Sequence, residues 1–196
     1  MKKFEATVEA INYILKRLGR ADKLTIIKLL YLADKCHLAR LGRTITEDEY
    51  YAMNRGPVGS LAKDILTNYD DNITFSDNES EYIKNLINPV DKYYYEYKNG
   101  IAKDVLSESD YDALNIVLNK YANFSSDDLV KITHNYPEWK QHESKLYNSK
   151  SETKRVRIKN EELLSLLEED YKIFNVDPAH VEMSKNILLG YYDWWI

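Results

Sequence analysis

Apolar positions recur at helical spacing from the start of the chain. Phe4, Val8, Ile11, Leu15 and Leu18 share one face, with Lys and Glu between them. Gly19 is placed to close that helix. Asp22 is placed to cap a second one, which runs to about Leu41 and stops at Gly42. The first half of this second helix is apolar on most sides: Leu24, Ile26, Ile27, Leu29, Leu30, Tyr31 and Leu32. A helix apolar all round is normally central and buried, so residues 23–41 are read as the spine of the fold.

Residues 45–54 read as a short extended segment. Arg55-Gly56-Pro57-Val58-Gly59-Ser60 reads as a turn followed by a helix to about Tyr69, opened by Pro57 or Ser60. A polar loop spans Asp70 to Ser80, and a short helix over 79–88 ends before Pro89. The clearest strand signal is the pair Tyr93–Lys98 and Ile101–Leu106 around Asn99-Gly100, the favoured pair for a type I′ turn. This predicts a β-hairpin over 93–106 with Glu96 opposite Lys103, and a third strand drawn from 45–54. Ser107 with Asp110 and Ser125 with Asp128 mark two further helix starts, and Pro137 breaks the second of these helices. Residues 148–159 are polar and basic. Asn160 caps an amphipathic stretch through Leu163, Leu164, Leu166 and Leu167, and Asp177-Pro178 opens a last helix to about Leu189. The pattern predicts a mainly α protein with a small antiparallel β-sheet (α+β). A domain over 1–148 is followed by a C-terminal helical extension, 149–196, packed on it. There is no internal repeat.

Composition narrows the function classes. Apolar residues at 44% and charged residues at 30% are a globular balance. A net charge of −5 disfavours a protein whose main task is to coat nucleic acid. The single Cys36 excludes an internal disulfide and points to a reducing cytosol. No apolar run reaches membrane-spanning length, and Met1–Glu5 leads into no signal core, so a cytoplasmic protein is expected. Seventeen Tyr against four Phe suits half-buried surfaces and interfaces, although a codon-biased genome gives the same count.

Candidate chemistry is thin. His37, His134, His142 and His180 are scattered, His142-Glu143 lacks a second His four residues on, and one Cys excludes the usual structural zinc sets. No metal and no cofactor are expected, and no phosphate-binding glycine loop is present. Asp34, His37 and His134 have two readings: buried polar groups that satisfy the backbone, or an acid–base set if the fold gathers them. Lys150, Lys154, Arg155, Arg157 and Lys159 form a basic strap with one acid, Glu152, read first as a solvated linker and second as a contact for nucleic acid or an acidic partner. Trp194 and Trp195 either dock on their own domain or serve a partner, because two exposed indoles forgo several kcal/mol of burial at about 25 cal/mol per Å².

Three stretches carry a family resemblance: Lys28-Leu29-Leu30-Tyr31-Leu32-Ala33-Asp34-Lys35-Cys36-His37-Leu38, then Gly42-Arg43, then Tyr50-Tyr51-Ala52-Met53-Asn54-Arg55-Gly56-Pro57-Val58. Leu106-Ser107-Glu108-Ser109-Asp110 and Leu129–His134 with Trp139 follow in order. Together they resemble the Panacea domain family of SocA-like and phage-associated GepA-like bacterial antitoxins, over residues 23 to about 147. Leu32 stands where the family often has Phe. The resemblance implies a non-enzymatic antitoxin of a toxin–antitoxin system that binds a protein toxin, encoded next door, by direct contact. It also implies an alternative, an adaptor that delivers the toxin to a protease. An enzyme using Asp34, His37 and His134 is the second alternative. The family offers no catalytic residues. The partner-contact candidates are Tyr31, Tyr50, Arg55, Gly56, Pro57, Trp139, Trp194 and Trp195, while Asp34, His37 and His134 read as structural.

Overall fold

A computed structural model describes residues 2–67, 75–148 and 154–190. The elements run α1 (Lys2–Leu18), β1 (Arg20–Asp22), α2 (Lys23–Leu41), β2 (Tyr50–Met53), β3 (Gly56–Gly59), α3 (Ser60–Ile65), α4 (Asp77–Leu86), β4 (Ile87–Pro89), β5 (Tyr94–Tyr97) and α5 (Glu108–Tyr121). They continue with α6 (Ser126–His134), α7 (Pro137–Lys140), α8 (Glu143–Leu146), β6 (Arg155–Ile158), a 3₁₀ turn (Glu162–Leu164), α9 (Glu168–Ile173) and α10 (Pro178–Leu188). This is a mainly helical protein with two small antiparallel sheets, in strand orders β1-β5-β4 and β3-β2-β6.

The spine is where its sequence puts it. The Asp22 carboxylate accepts from the Leu24 and Thr25 amides, and Gly42, at φ 75°, donates its amide to the Leu38 carbonyl. Between these caps every residue from Thr25 to Ala39 is buried. Helices α1, α5, α6 and α10 and strand β3 pack around it. Residues Phe4, Val8, Ile11 and Leu15 are buried as the periodicity of α1 demands. Capping boxes at Ser76, with Glu79, and at Ser107, with Asp110, start α4 and α5, and the Ser125 hydroxyl caps α6.

The strand pairings depart from the sequence expectation. The hairpin lies at 50–59: β2 and β3 pair with Met53 opposite Gly56 across Asn54-Arg55. Gly56 supplies the bend at φ 97°, so Gly56–Gly59 is a strand where a turn was expected, and the helix opens at Ser60, one of the two expected starts. Residues 93–106 form no hairpin. Strand β5 is central in its sheet, with β1 on one edge and β4 on the other, which leaves residues 101–106 no edge to join. They are instead tied to α1: the Lys103 and Val105 amides donate to the Glu9 carboxylate at 2.9 and 3.1 Å. Accordingly Glu96 lies opposite Arg20, and Lys103 pairs with Glu5 at 2.5 Å.

The expected amphipathic helix after Asn160 is interrupted. Lys35 takes the Leu163 and Ser165 carbonyls, and the Leu167 amide turns to Asp170, so a 3₁₀ turn and α9 replace one continuous helix. The basic strap is not a linker over its described part. Arg155–Ile158 is β6, paired with β2. The helix expected to run to about Tyr69 ends at Ile65, and Asp77–Ser80 of the expected loop already belong to α4. Tyr69, residues 70–74 and the terminal Trp194-Trp195 pair lie outside the described residues.

Candidate functional site

Lysines inside an apolar helix must find acceptors, because an unpaired buried ammonium is too costly to keep. Two of them, Lys28 and Lys35, lie seven residues apart on α2 and are fully buried. Lys28 Nζ donates to the Pro57 carbonyl at 2.7 Å. A Cβ on Gly56 would meet that Nζ at 2.6 Å and Thr133 Oγ1 at 2.9 Å, so the glycine is required by close approach as well as by its positive φ. Burial, with Arg55 nearby, lowers the Lys28 pKa well below its ordinary value.

Lys35 sits in a richer nest. Its Nζ donates to Glu138 Oε1 at 2.6 Å and to the Leu163 and Ser165 carbonyls at 2.6 and 3.0 Å, and lies 4.3 Å from the centre of the Tyr136 ring. Tyr31 donates to the same Glu138 oxygen at 2.5 Å. Tyr136 donates to Asp170 at 2.9 Å. Burial lowers the Lys35 pKa while Glu138 opposes the shift. The Tyr31 ring meets Tyr50 and Tyr136 edge-on at 5.5 and 5.8 Å.

Asp34 faces the other way. Its carboxylate accepts from the Ile45 and Thr46 amides at 2.7 and 3.0 Å, from the Tyr50 hydroxyl at 2.6 Å and from the Thr46 hydroxyl. Burial pushes its pKa up to about 6 against the pull of those donors. His37 contacts the Arg43 carbonyl through Nδ1 at 2.7 Å, which requires a proton on that nitrogen. Its Nε2 lies 3.0 Å from Asp110, whose carboxyl is opposed by burial yet held well below the usual range by His37, Ser107 and Arg43. Trp139 Nε1 donates to the Met53 carbonyl at 2.7 Å, and His134 stacks on the indole at 3.5 Å and 6°. Burial, then the charges of Lys28 and Arg55, drive the His134 pKa down to about 4.

The motif residues therefore bind one another. Lys28 holds Pro57, Asp34 holds Tyr50, Trp139 holds Met53, and Gly56 makes room for Lys28. Tyr31, Tyr50, Gly56, Pro57 and Trp139, expected as partner contacts, lie inside the fold of the free chain. They are buried, with the polar side-chain atoms of Tyr31, Tyr50 and Trp139 bonded inward, and they frame the turn. Arg55 alone of the described contact candidates is exposed, paired with Asp127 at 2.7 Å. Asp34, His37 and His134 share no partner, so no acid–base set is assembled from them. Lys28, Lys35, Tyr136, Glu138 and Asp170 were not singled out from sequence as site residues. The available signal was a pair of lysines inside an otherwise apolar helix.

The outer side of the hairpin differs in kind. Along β2 and β6, Tyr50, Ala52 and Ile158 point into the core, while Arg155 and Arg157 are exposed and Tyr51 and Met53 half-buried. Arg155 lies over the Tyr51 ring at 5.0 Å, and Arg157 pairs with Glu49 at 3.0 Å. Tyr147, exposed, donates to the Asn54 carbonyl at 3.0 Å and meets the Trp139 ring edge-on. Among the described residues no cluster of His, Cys, Asp and Glu is arranged to hold a metal ion, and no helix is long and apolar enough to cross a membrane.

No curated protein and no solved structure matches the chain. The family model for the SocA-like antitoxin, Panacea domain, matches residues 26–140, from the spine through the Glu138-Trp139 pair. That span is more than half of the chain and contains the contacts of α2 and α7 with the hairpin, and the protein belongs to the SocA-like antitoxin family built on the Panacea domain.

Proposed function

We propose that this chain is the antitoxin of a toxin–antitoxin pair and silences a protein toxin, encoded beside it, by direct binding in the cytoplasm. The observation that carries this reading is the family match over residues 26–140. The polar motif residues support it from within. Lys28, Asp34, Tyr50 and Trp139 are engaged in holding the α2–hairpin–α7 frame, which leaves recognition to the side chains mounted on that frame. Arg55, Tyr51 and Tyr147 stand around the hairpin with exposed or half-buried rings and charge, the residue types that dominate binding hot spots.

Co-expression with the product of the neighbouring gene tests the reading. Growth is restored and the two proteins co-purify. A neighbour product that stays toxic and forms no complex overturns it. Measuring that product's half-life in the same cells separates inhibition, which leaves the half-life unchanged, from delivery to a protease, which shortens it.

A further inference from the structure

We infer that the outer edge of β6 is a docking edge for an extended, acidic strand of the partner protein, which joins the sheet beside Arg155–Ile158. The inference rests on the antitoxin reading and names the surface and chemistry it uses.

The first ground is an edge that no described strand fills. The sheet runs β3-β2-β6, and among the described residues β6 pairs with β2 alone. In an antiparallel ladder alternate residues of an edge strand point their N–H and C=O groups away from the sheet, and these are a template for another strand. The second ground is charge. Lys154, Arg155, Arg157 and Lys159 are all exposed, with no acid between them in sequence. Arg157 pairs with Glu49 at 3.0 Å and Lys159 with Glu161 at 3.8 Å, surface pairs weak enough for a partner carboxylate to displace. They form a local basic edge on a chain whose net charge is −5. Long-range repulsion by the rest of the chain would disfavour an acidic partner elsewhere, and this edge attracts it. The third ground is side-chain alternation. Ile158 is buried and Val156 half-buried, whereas Arg155 and Arg157 stand out beside the half-buried Tyr51 and Met53. An incoming strand would therefore place carboxylates at alternate positions against the two arginines, with apolar residues between them toward Val156. The same cations exclude a second copy of this chain as the occupant, because two β6 edges would set arginine against arginine.

The strand lies outside the matched residues 26–140, while the strand it leans on, β2, lies within them.

The experiment uses the full chain and the neighbouring-gene product. Residue-resolved amide exchange is followed over 155–158, free and in complex. Two alternate amides of β6 slow by about tenfold or more on binding. R155E/R157E, checked for an unchanged melting temperature, weakens the complex by about tenfold or more, and raised salt weakens the wild-type complex in the same direction. A complex that forms with unchanged exchange over 155–158, or with unaltered affinity in the folded double variant, overturns this inference and leaves the antitoxin reading standing. Absence of any complex sinks the antitoxin reading, and this inference with it. Retention of a plain DNA duplex by the wild type and its loss in R155E/R157E would assign the edge to nucleic acid and overturn the inference too.

Discussion

The inner and outer sides of one hairpin put their cations to opposite uses. Beneath it, Lys28 and Lys35 are sealed from solvent and each is matched to oxygens at 2.6 to 3.0 Å. Beyond it, Arg155 and Arg157 of β6 are exposed, one over a tyrosine ring and the other in a surface ion pair. Buried charges specify how α2, β2, β3, α7 and the 3₁₀ turn must meet, because any other arrangement leaves an ammonium or carboxylate unpaired in low dielectric. Exposed charges contribute little to the fold and are free to choose a partner. The motif residues of this chain thus build the frame, and on the proposed function recognition is expected at what the frame displays.

The sharpest way to break that contrast is at Glu138. E138A leaves Lys35 and Tyr31 buried without their shared acceptor, and should cost about 3–5 kcal/mol, enough to unfold a marginal domain. Denaturant unfolding reads the loss directly, and a cost below about 1 kcal/mol would show that the network is not what holds the frame.

G56A comes next. It places a Cβ against Lys28 Nζ and Thr133 Oγ1 in a left-handed backbone, and should cost about 2 kcal/mol or more. The loss should shrink when Lys28 is also shortened, as a double-mutant cycle by thermal unfolding would show.

A smaller effect separates two titrating groups, the buried Asp34 and the half-buried His134. Burial raises Asp34 to about 6, so the folded state holds that proton more tightly than the unfolded chain. Its contribution is complete below the ordinary carboxylate pKa and is lost as pH rises through about 6. His134 is lowered to about 4, so its contribution is present above the ordinary histidine pKa and is lost as pH falls toward 4. The two oppose each other between about pH 4 and 6.5. H134F keeps an aromatic ring on Trp139 and removes one of them. Its melting temperature should therefore rise relative to wild type as pH falls through that window, followed by a thermal scan at each pH. Smallest of all, R155E/R157E should change stability by no more than about 0.5 kcal/mol, in contrast to its effect on binding.

What was readable in the chain was local. Asp22 and Gly42 bound the spine, Ser107 with Asp110 opens α5, and apolar periodicity identifies the buried face of α1, because caps and faces depend on residues a few positions apart. Pairing was not readable. Asn99-Gly100 is a strong local hairpin signal, but β1 and β4 take both edges of β5 from distant parts of the chain. The basic residues of β6 look like a linker until β2 offers them an edge. Likewise the burial of several site candidates was not readable. Tyr31, Tyr50 and Trp139 have the composition of an interface, and only the acceptors at Glu138, Asp34 and Met53 reveal that their polar ends point inward. Lys28 and Lys35 were the overlooked clue, since a lysine in an apolar helix implies an acceptor carried by another element.

The central claim is inhibition by contact alone. Purified chain is titrated into purified neighbouring-gene product, with no other protein present, and the toxin's own activity is measured. The account predicts that activity falls to background at a fixed stoichiometric ratio while the toxin stays intact. Full toxin activity in the presence of excess folded chain would contradict it.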